Sequence, residues 1–392
     1  MHGHSWLRLL FTPDPIAALA PDGKRSRRQS RQQSGVSAEQ QAFLDALTQV
    51  EVRLNNPQSK RGWDTVLGLY SLRPGSAAPF RGKDLRRIEQ LCARLWLATG
   101  TGRSRVEQVL LTHIAAACDE SSLPFLRSAL DVKRVADSFA TERRQLVVAA
   151  LAFTALLHDS EAARAELTTL LSHAHPSVRC EAIECFAQIH RSPQGRLAPD
   201  AAQRLLHIAQ HDRAFAPRFI ARDQLARAGV PVPPDPDAAV YAFRASLGRA
   251  VCTVELTASQ TLADLADAIL SAFLWDDDHL YEFALTGDLR DRRFVVPTES
   301  EEPLFFDEDE DEDEDEDDAP LETESGLQRP LGTFGFVRGH SMIFHFDFGD
   351  SHRFNVAVAA IHAHKTPRAK YPRIIDRPDK PPQQYPSAGA WR

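Results

Sequence analysis

The chain has 392 residues, 43% hydrophobic and 26% charged, which is ordinary globular composition with room for two or three domains. Its net charge of -8 is a local feature, because twelve consecutive carboxylates at 307–318 exceed it and leave the remainder weakly basic. No run approaches the roughly 20 apolar residues that cross a bilayer, and no CxxC pair occurs among Cys92, Cys118, Cys180, Cys185 and Cys252, so reduced thiols in a cytoplasmic protein are expected.

Residues 1–36 read as a disordered basic leader. Pro13 and Pro15 interrupt its one apolar patch, which does not match a signal peptide. Lys24, Arg25, Arg27, Arg28 and Arg31 suit a nucleic-acid-binding arm or a solvated segment. The second reading is adopted, since five charges without aromatic residues bind weakly.

From 37 to 230 the apolar period is helical. Val178, Ala182, Ile183, Phe186 and Ile189 form one stripe behind Pro176, and proline in a first turn loses no hydrogen bond. Leu146, Ala149, Ala150 and Phe153 form another stripe, and EAARAELTTLLSHA supplies a shorter partner. Helix pairs recurring at roughly 35–45 residues indicate a HEAT-like stack, with about two repeats over 140–230. PSVRCEAI resembles the HEAT motif, in which proline precedes a valine–arginine pair. An irregular helical bundle is the competing arrangement.

Residues 231–237 form a proline-rich linker, after which the period changes from 3.6 to 2. VYAFRASL places Tyr241, Phe243, Ala245 and Leu247 on one face, and AVCTVELT follows as a second strand. TLADLADAILSAF predicts an amphipathic helix capped by Thr261 with Asp264 three residues on. LYEFAL, SMIFHFDF and RFNVAVAAI supply further strands. The predicted fold has two modules: an all-α HEAT-like region, then an α+β domain at 238–382 with an antiparallel sheet and one main packed helix. A disordered acidic loop is expected at 300–326 and a flexible tail at 383–392.

The order VYAFRASL, TLADLADAI, WDDDHLYEF, an acidic loop, FHFDFGDSHRFNV and YPRIIDRPDKPP resembles the plasmid pRiA4b ORF-3-like family, passenger proteins of insertion elements. The resemblance covers about residues 238–382 and implies a small α+β roll without an agreed activity. Where family members carry a second histidine after the aspartates, this chain has Tyr281. Where they carry tryptophan and histidine after the glycine–aspartate–serine turn, it has His352 and Phe354. Cysteines that often follow the tyrosine–proline–arginine stretch are absent from YPRIIDRPDKPPQQY.

Trp275, Asp276, Asp277, Asp278 and His279 suit either divalent-cation or acid–base chemistry, or a turn. The turn is adopted, with Trp275 as anchor and an aspartate capping backbone amides. Adjacent aspartates point in different directions, whereas a hard cation needs converging oxygens. Asp347, Gly349 and Asp350 form a second turn, in which glycine is expected to supply positive φ. No kinase catalytic loop accompanies this DFG, and Ile343 in GHSMI replaces the last glycine of a serine elbow. His207 and His211 lack the glutamate of a zincin motif. No cofactor or metal site is assigned, and the two turns together form the candidate binding surface.

The leading functional expectation is a non-enzymatic interaction or adaptor protein with a protein partner and no membrane association. Nucleic-acid association is the alternative. A third reading is an enzyme using Asp276–His279 with Asp347 and Asp350, which requires the two turns to meet.

Overall fold

The computed structural model describes residues 37–56, 79–98, 102–117, 119–133, 139–235, 238–298 and 326–385, with 63, 69 and 72 singly. The leader at 1–36, Cys118 and the acidic run 307–318 lie outside these. Two units separate, Met1–Gln194 and Gly195–Arg392.

In the first unit, Ser37 opens α1 (Ala38–Asn55) with a capping box: its hydroxyl accepts from the Gln40 amide, and the Gln40 side chain accepts from Ser37 N–H. There follow α2 (Gly82–Leu95), α3 (Arg103–Ala117), α4 (Leu123–Leu130), α5 (Ala140–Leu157), α6 (Glu161–Leu170) and α7 (Pro176–Ile189). Residues Val178 to Ala187 of α7 are all buried, as befits a helix with neighbours on several sides. α5 packs against α3, α4, α6 and α7. Several polar pairs between helices lie 36–39 positions apart, Arg87 on Glu51, Arg94 on Asn55, Arg127 on Glu166 and Gln145 on Glu181, while Arg144 on Ser177 spans 33. At the centre, Arg143 Nε donates to Glu107 Oε1 at 2.5 Å with both side chains excluded from water.

The second unit begins with α8 (Pro199–His211) and α9 (Phe215–Arg227). The sheet strands are β1 (Val240–Leu247), β2 (Ala250–Thr257), β3 (Tyr281–Ala284), β4 (Val295–Pro297), β5 (Ser341–Phe346), β6 (His352–His362) and β7 (Arg373–Asp376). They pair antiparallel in the order β4-β3-β5-β6-β1-β2-β7. The two-module prediction of helices followed by an antiparallel sheet with a helix holds. Between β2 and β3 runs α10 (Leu262–Phe273), whose Thr261–Asp264 capping box forms as the spacing predicts.

One sheet face is apolar. Phe354, Val356 and Val358 of β6 are buried while Arg353 and Asn355 face solvent. α10 covers this face at β2 and β7, with Phe273 edge-on to Phe354 at 5.0 Å. Beside it, Phe215 and Phe219 of α9 stack on Phe336 (5.2 Å) and Phe334 (6.1 Å), and Phe336 meets Tyr241 and Phe243 of β1. Strict alternation in β1 is only partial, because Val240 and Ala242 are buried too. Gly335 is required where it stands: its φ is +84°, and a Cβ would meet Arg222 Nε at 2.8 Å.

Candidate functional site: a corner of two turns

The first turn begins where α10 stops. Leu274 is left-handed (φ 61°), and Trp275 N–H returns to Leu270 C=O, so the indole folds back over the sheet end. Its ring lies 4.8 Å from His352, 5.4 Å from Phe354 and 6.2 Å from Phe346, and Nε1 donates to Pro382 C=O at 2.8 Å. Gln384, almost fully buried, grips the turn. Its Oε1 accepts from Asp276 N (2.8 Å), and its Nε2 donates to Asp276 C=O and Asp278 Oδ1 (both 2.9 Å). Tyr385 donates to Asp278 Oδ2 at 2.6 Å. That bond, ahead of nearby His279, holds the Asp278 carboxyl below its usual range. Partial burial, then repulsion by Asp278, raises Asp277.

The second turn joins β5 to β6. Asp347 Oδ1 accepts from Gly349 N (2.9 Å) and Asp350 N (3.3 Å), Ser351 N donates to Asp347 C=O (2.6 Å), and Asp347 N donates to Leu280 C=O (3.1 Å). Positive φ, expected at Gly349, falls instead on Asp347 and Ser351, both at 54°. The aspartate tolerates this conformation because its side chain bonds the adjacent backbone. Gly349 serves by absence of bulk: a Cβ there would lie 3.2 Å from Asp347 Oδ1.

The two turns meet at His279, whose Nε2 lies 3.8 Å from Asp278 Oδ1 and 3.7 Å from Asp347 Oδ2. One potential ligand atom from each of Asp347, Asp350 and His352 falls within a 4.8 Å group. Asp278, His279, Asp347 and Asp350 therefore gather, while Asp276 is held through its backbone. The carboxylates and histidines form a donor set that hard or borderline cations accept, although Asp347 Oδ1 already serves the turn amides.

Sequence reasoning missed Pro382, Gln384 and Tyr385, which reach the first turn across more than a hundred positions. It also missed a hydrogen-bonded chain on the polar sheet face. His345 Nδ1 lies 3.1 Å from Glu282 Oε1, and its Nε2 lies 3.0 Å from Ser351 Oγ. Only the β3–β5 pairing of Glu282 with His345 makes this visible.

The C-terminal unit is thus a two-layer α+β roll with a strapped, carboxylate-rich corner. Residues 249–389 match the family described as Plasmid pRiA4b ORF-3-like protein, which supports the motif resemblance for this part of the chain. No curated protein matches. A similar solved structure is the crystal structure of a protein of unknown function, MM3350, from Methanosarcina mazei Go1. It is 20% identical, with a TM-score of 0.25, over 34% of this chain and 66% of that one, so the chain spans just under two thirds of its length.

Proposed function

We propose that the C-terminal unit is a protein-recognition module whose corner takes a basic segment bearing apolar side chains. One observation carries the reading. Of the five large apolar side chains exposed among its described residues, Leu274, Leu280, Phe348 and Tyr385 flank the two turns, and Ile375 alone lies elsewhere. Exposed apolar groups gathered at one place mark contact surfaces more often than scattered ones do. Each is already partly covered, so full burial contributes about 1 kcal/mol, and the surrounding carboxylates steer a cationic partner. The strap from Pro382 to Tyr385 holds the turn before binding, so little ordering entropy is lost. Interhelical pairs spaced 36–39 residues apart favour a HEAT-like stack in the N-terminal unit, which would supply a second adaptor surface.

Fluorescence anisotropy against three peptide sets tests this: basic with Leu and Phe, basic without them, and acidic. The first set should bind best, and binding should weaken with salt. Joint Asp277→Asn and Phe348→Ser substitution should weaken it on the order of tenfold, with melting retained. Equal binding of all sets, or of none, rejects the reading.

A second reading, nucleic-acid association, is favoured by the β6–β7 connection. It exposes His364, Lys365, Arg368 and Lys370 and has no acidic residue between 363 and 372. Retention on DNA or RNA should fall with salt and weaken when Lys365, Arg368 and Lys370 are neutralised. Unchanged retention counts against it.

A further inference from the structure

We infer that Ser351, His345 and Glu282 form a nucleophilic triad able to cleave carboxylic esters, an activity distinct in chemistry from recognition, although Ser351 and Phe348 belong to the corner's second turn. The geometry is that of nucleophile, base and orienting acid. Ser351 Oγ is 3.0 Å from His345 Nε2, and His345 Nδ1 is 3.1 Å from Glu282 Oε1. A carboxylate only accepts, so Nδ1 carries the hydrogen and Nε2 is left to take the serine proton. Arg292 Nη1 holds the other Glu282 oxygen at 3.3 Å, which fixes the acid from its far side.

Two further observations distinguish this chain from an ordinary surface hydrogen bond. Ser351 sits at φ 54°, a conformation rarely adopted by non-glycine residues, and the turn presents it exposed while His345 is 8% exposed. Phe348, half exposed, lies 5.2 Å from the imidazole and offers an apolar wall for an acyl chain. Arg353 stands opposite His345 in the β5–β6 register and places a cation on the same stretch of sheet. Asp347 and Asp350 in the same turn disfavour anionic esters, so neutral or cationic ones are the substrate class.

In the reaction, Ser351 Oγ bonds to the acyl carbon as its proton passes to His345 Nε2. The alkoxide leaves with that proton, giving acyl-serine and alcohol. Water then attacks the acyl carbon, gives a proton to His345, and releases the acid as Ser351 recovers its hydrogen.

The test is labelling of the full chain with a fluorophosphonate probe and hydrolysis of short-chain p-nitrophenyl esters. Wild type should be labelled at Ser351, located by peptide mapping. Ser351→Gly, which suits the positive φ and keeps the turn, should abolish both signals. His345→Gln should slow both on the order of 100-fold. Glu282 is a positioning residue: Glu282→Gln should lower kcat on the order of tenfold at unchanged KM, with partial recovery in Glu282→Asp. An unlabelled wild type, a label elsewhere, or labelling indifferent to His345→Gln overturns the inference. Peptide binding at the corner is untouched by that outcome.

Discussion

Tyr385 and Asp278, 107 positions apart, share a 2.6 Å hydrogen bond in which the phenol donates to the carboxylate. With Gln384 beside it, this bond makes the end of the described chain part of the candidate site. Tyr385→Phe should raise the Asp278 pKa toward the ordinary carboxylate value, since the phenol is the foremost cause of its depression. Carboxyl carbon NMR titration checks the shift.

Gln384→Ala should loosen the strap. It removes the partner of the Asp276 amide and carbonyl, which water can replace at this exposed residue, and costs about 0.5–1.5 kcal/mol. Faster amide exchange at Asp276, with a lower melting temperature of the C-terminal unit, is the expected outcome.

Acid should weaken both units. Burial lowers the pKa of His113, packed against Phe43 and Phe80, and of His340, stacked on Phe215, from 6.5 to about 4 in each case. A depressed folded pKa means that the unfolded chain binds the proton more readily. The contribution of these two histidines is therefore full above pH 6.5, falls as pH drops from there to about 4, and is exhausted below. The loss is on the order of 3 kcal/mol per histidine. Urea unfolding across this range should show the slope, and His113→Phe should remove one proton's share of it.

Removing one partner of the buried Glu107–Arg143 pair should be severe. Arg143→Met takes the 2.5 Å partner from Glu107, which is 0% exposed and keeps Arg103 at 3.8 Å, and about 3 kcal/mol is lost. Joint Glu107→Leu and Arg143→Met should recover most of this by chemical denaturation. No recovery would mean that the pair's geometry organises the helices as well as neutralising charge.

Gly335→Ala should destabilise the C-terminal unit by at least ~1 kcal/mol, because φ is +84° and the new methyl meets Arg222 and Arg218. Gly349→Ala should be milder, since its contact with Asp347 Oδ1 is 3.2 Å and its φ is not positive.

What the sequence made legible was local. The period change after the prolines, the Thr261–Asp264 cap, the anchoring tryptophan and the local hydrogen bonds of Asp347 all depend on neighbours within a few residues. The amide cap expected of an aspartate in the first turn is replaced by the bonds from Gln384 and Tyr385 to Asp278. Relationships set by strand order stayed hidden. Glu282, His345 and Ser351 align only once β3 pairs with β5, and Gln384 reads as tail until β7 turns the chain back toward α10. Phe215 and Phe219 look like any amphipathic stripe, because periodicity records that a face is apolar without saying which sheet it meets.

The strap also has a timetable. At ~5–20 residues per second, translation delivers Asp278 on the order of 5–20 s before Tyr385, the 107-residue interval that separates them. During that interval the aspartate segment lacks its final clasp, and the Asp278 carboxylate is without the phenol that holds it in the finished fold.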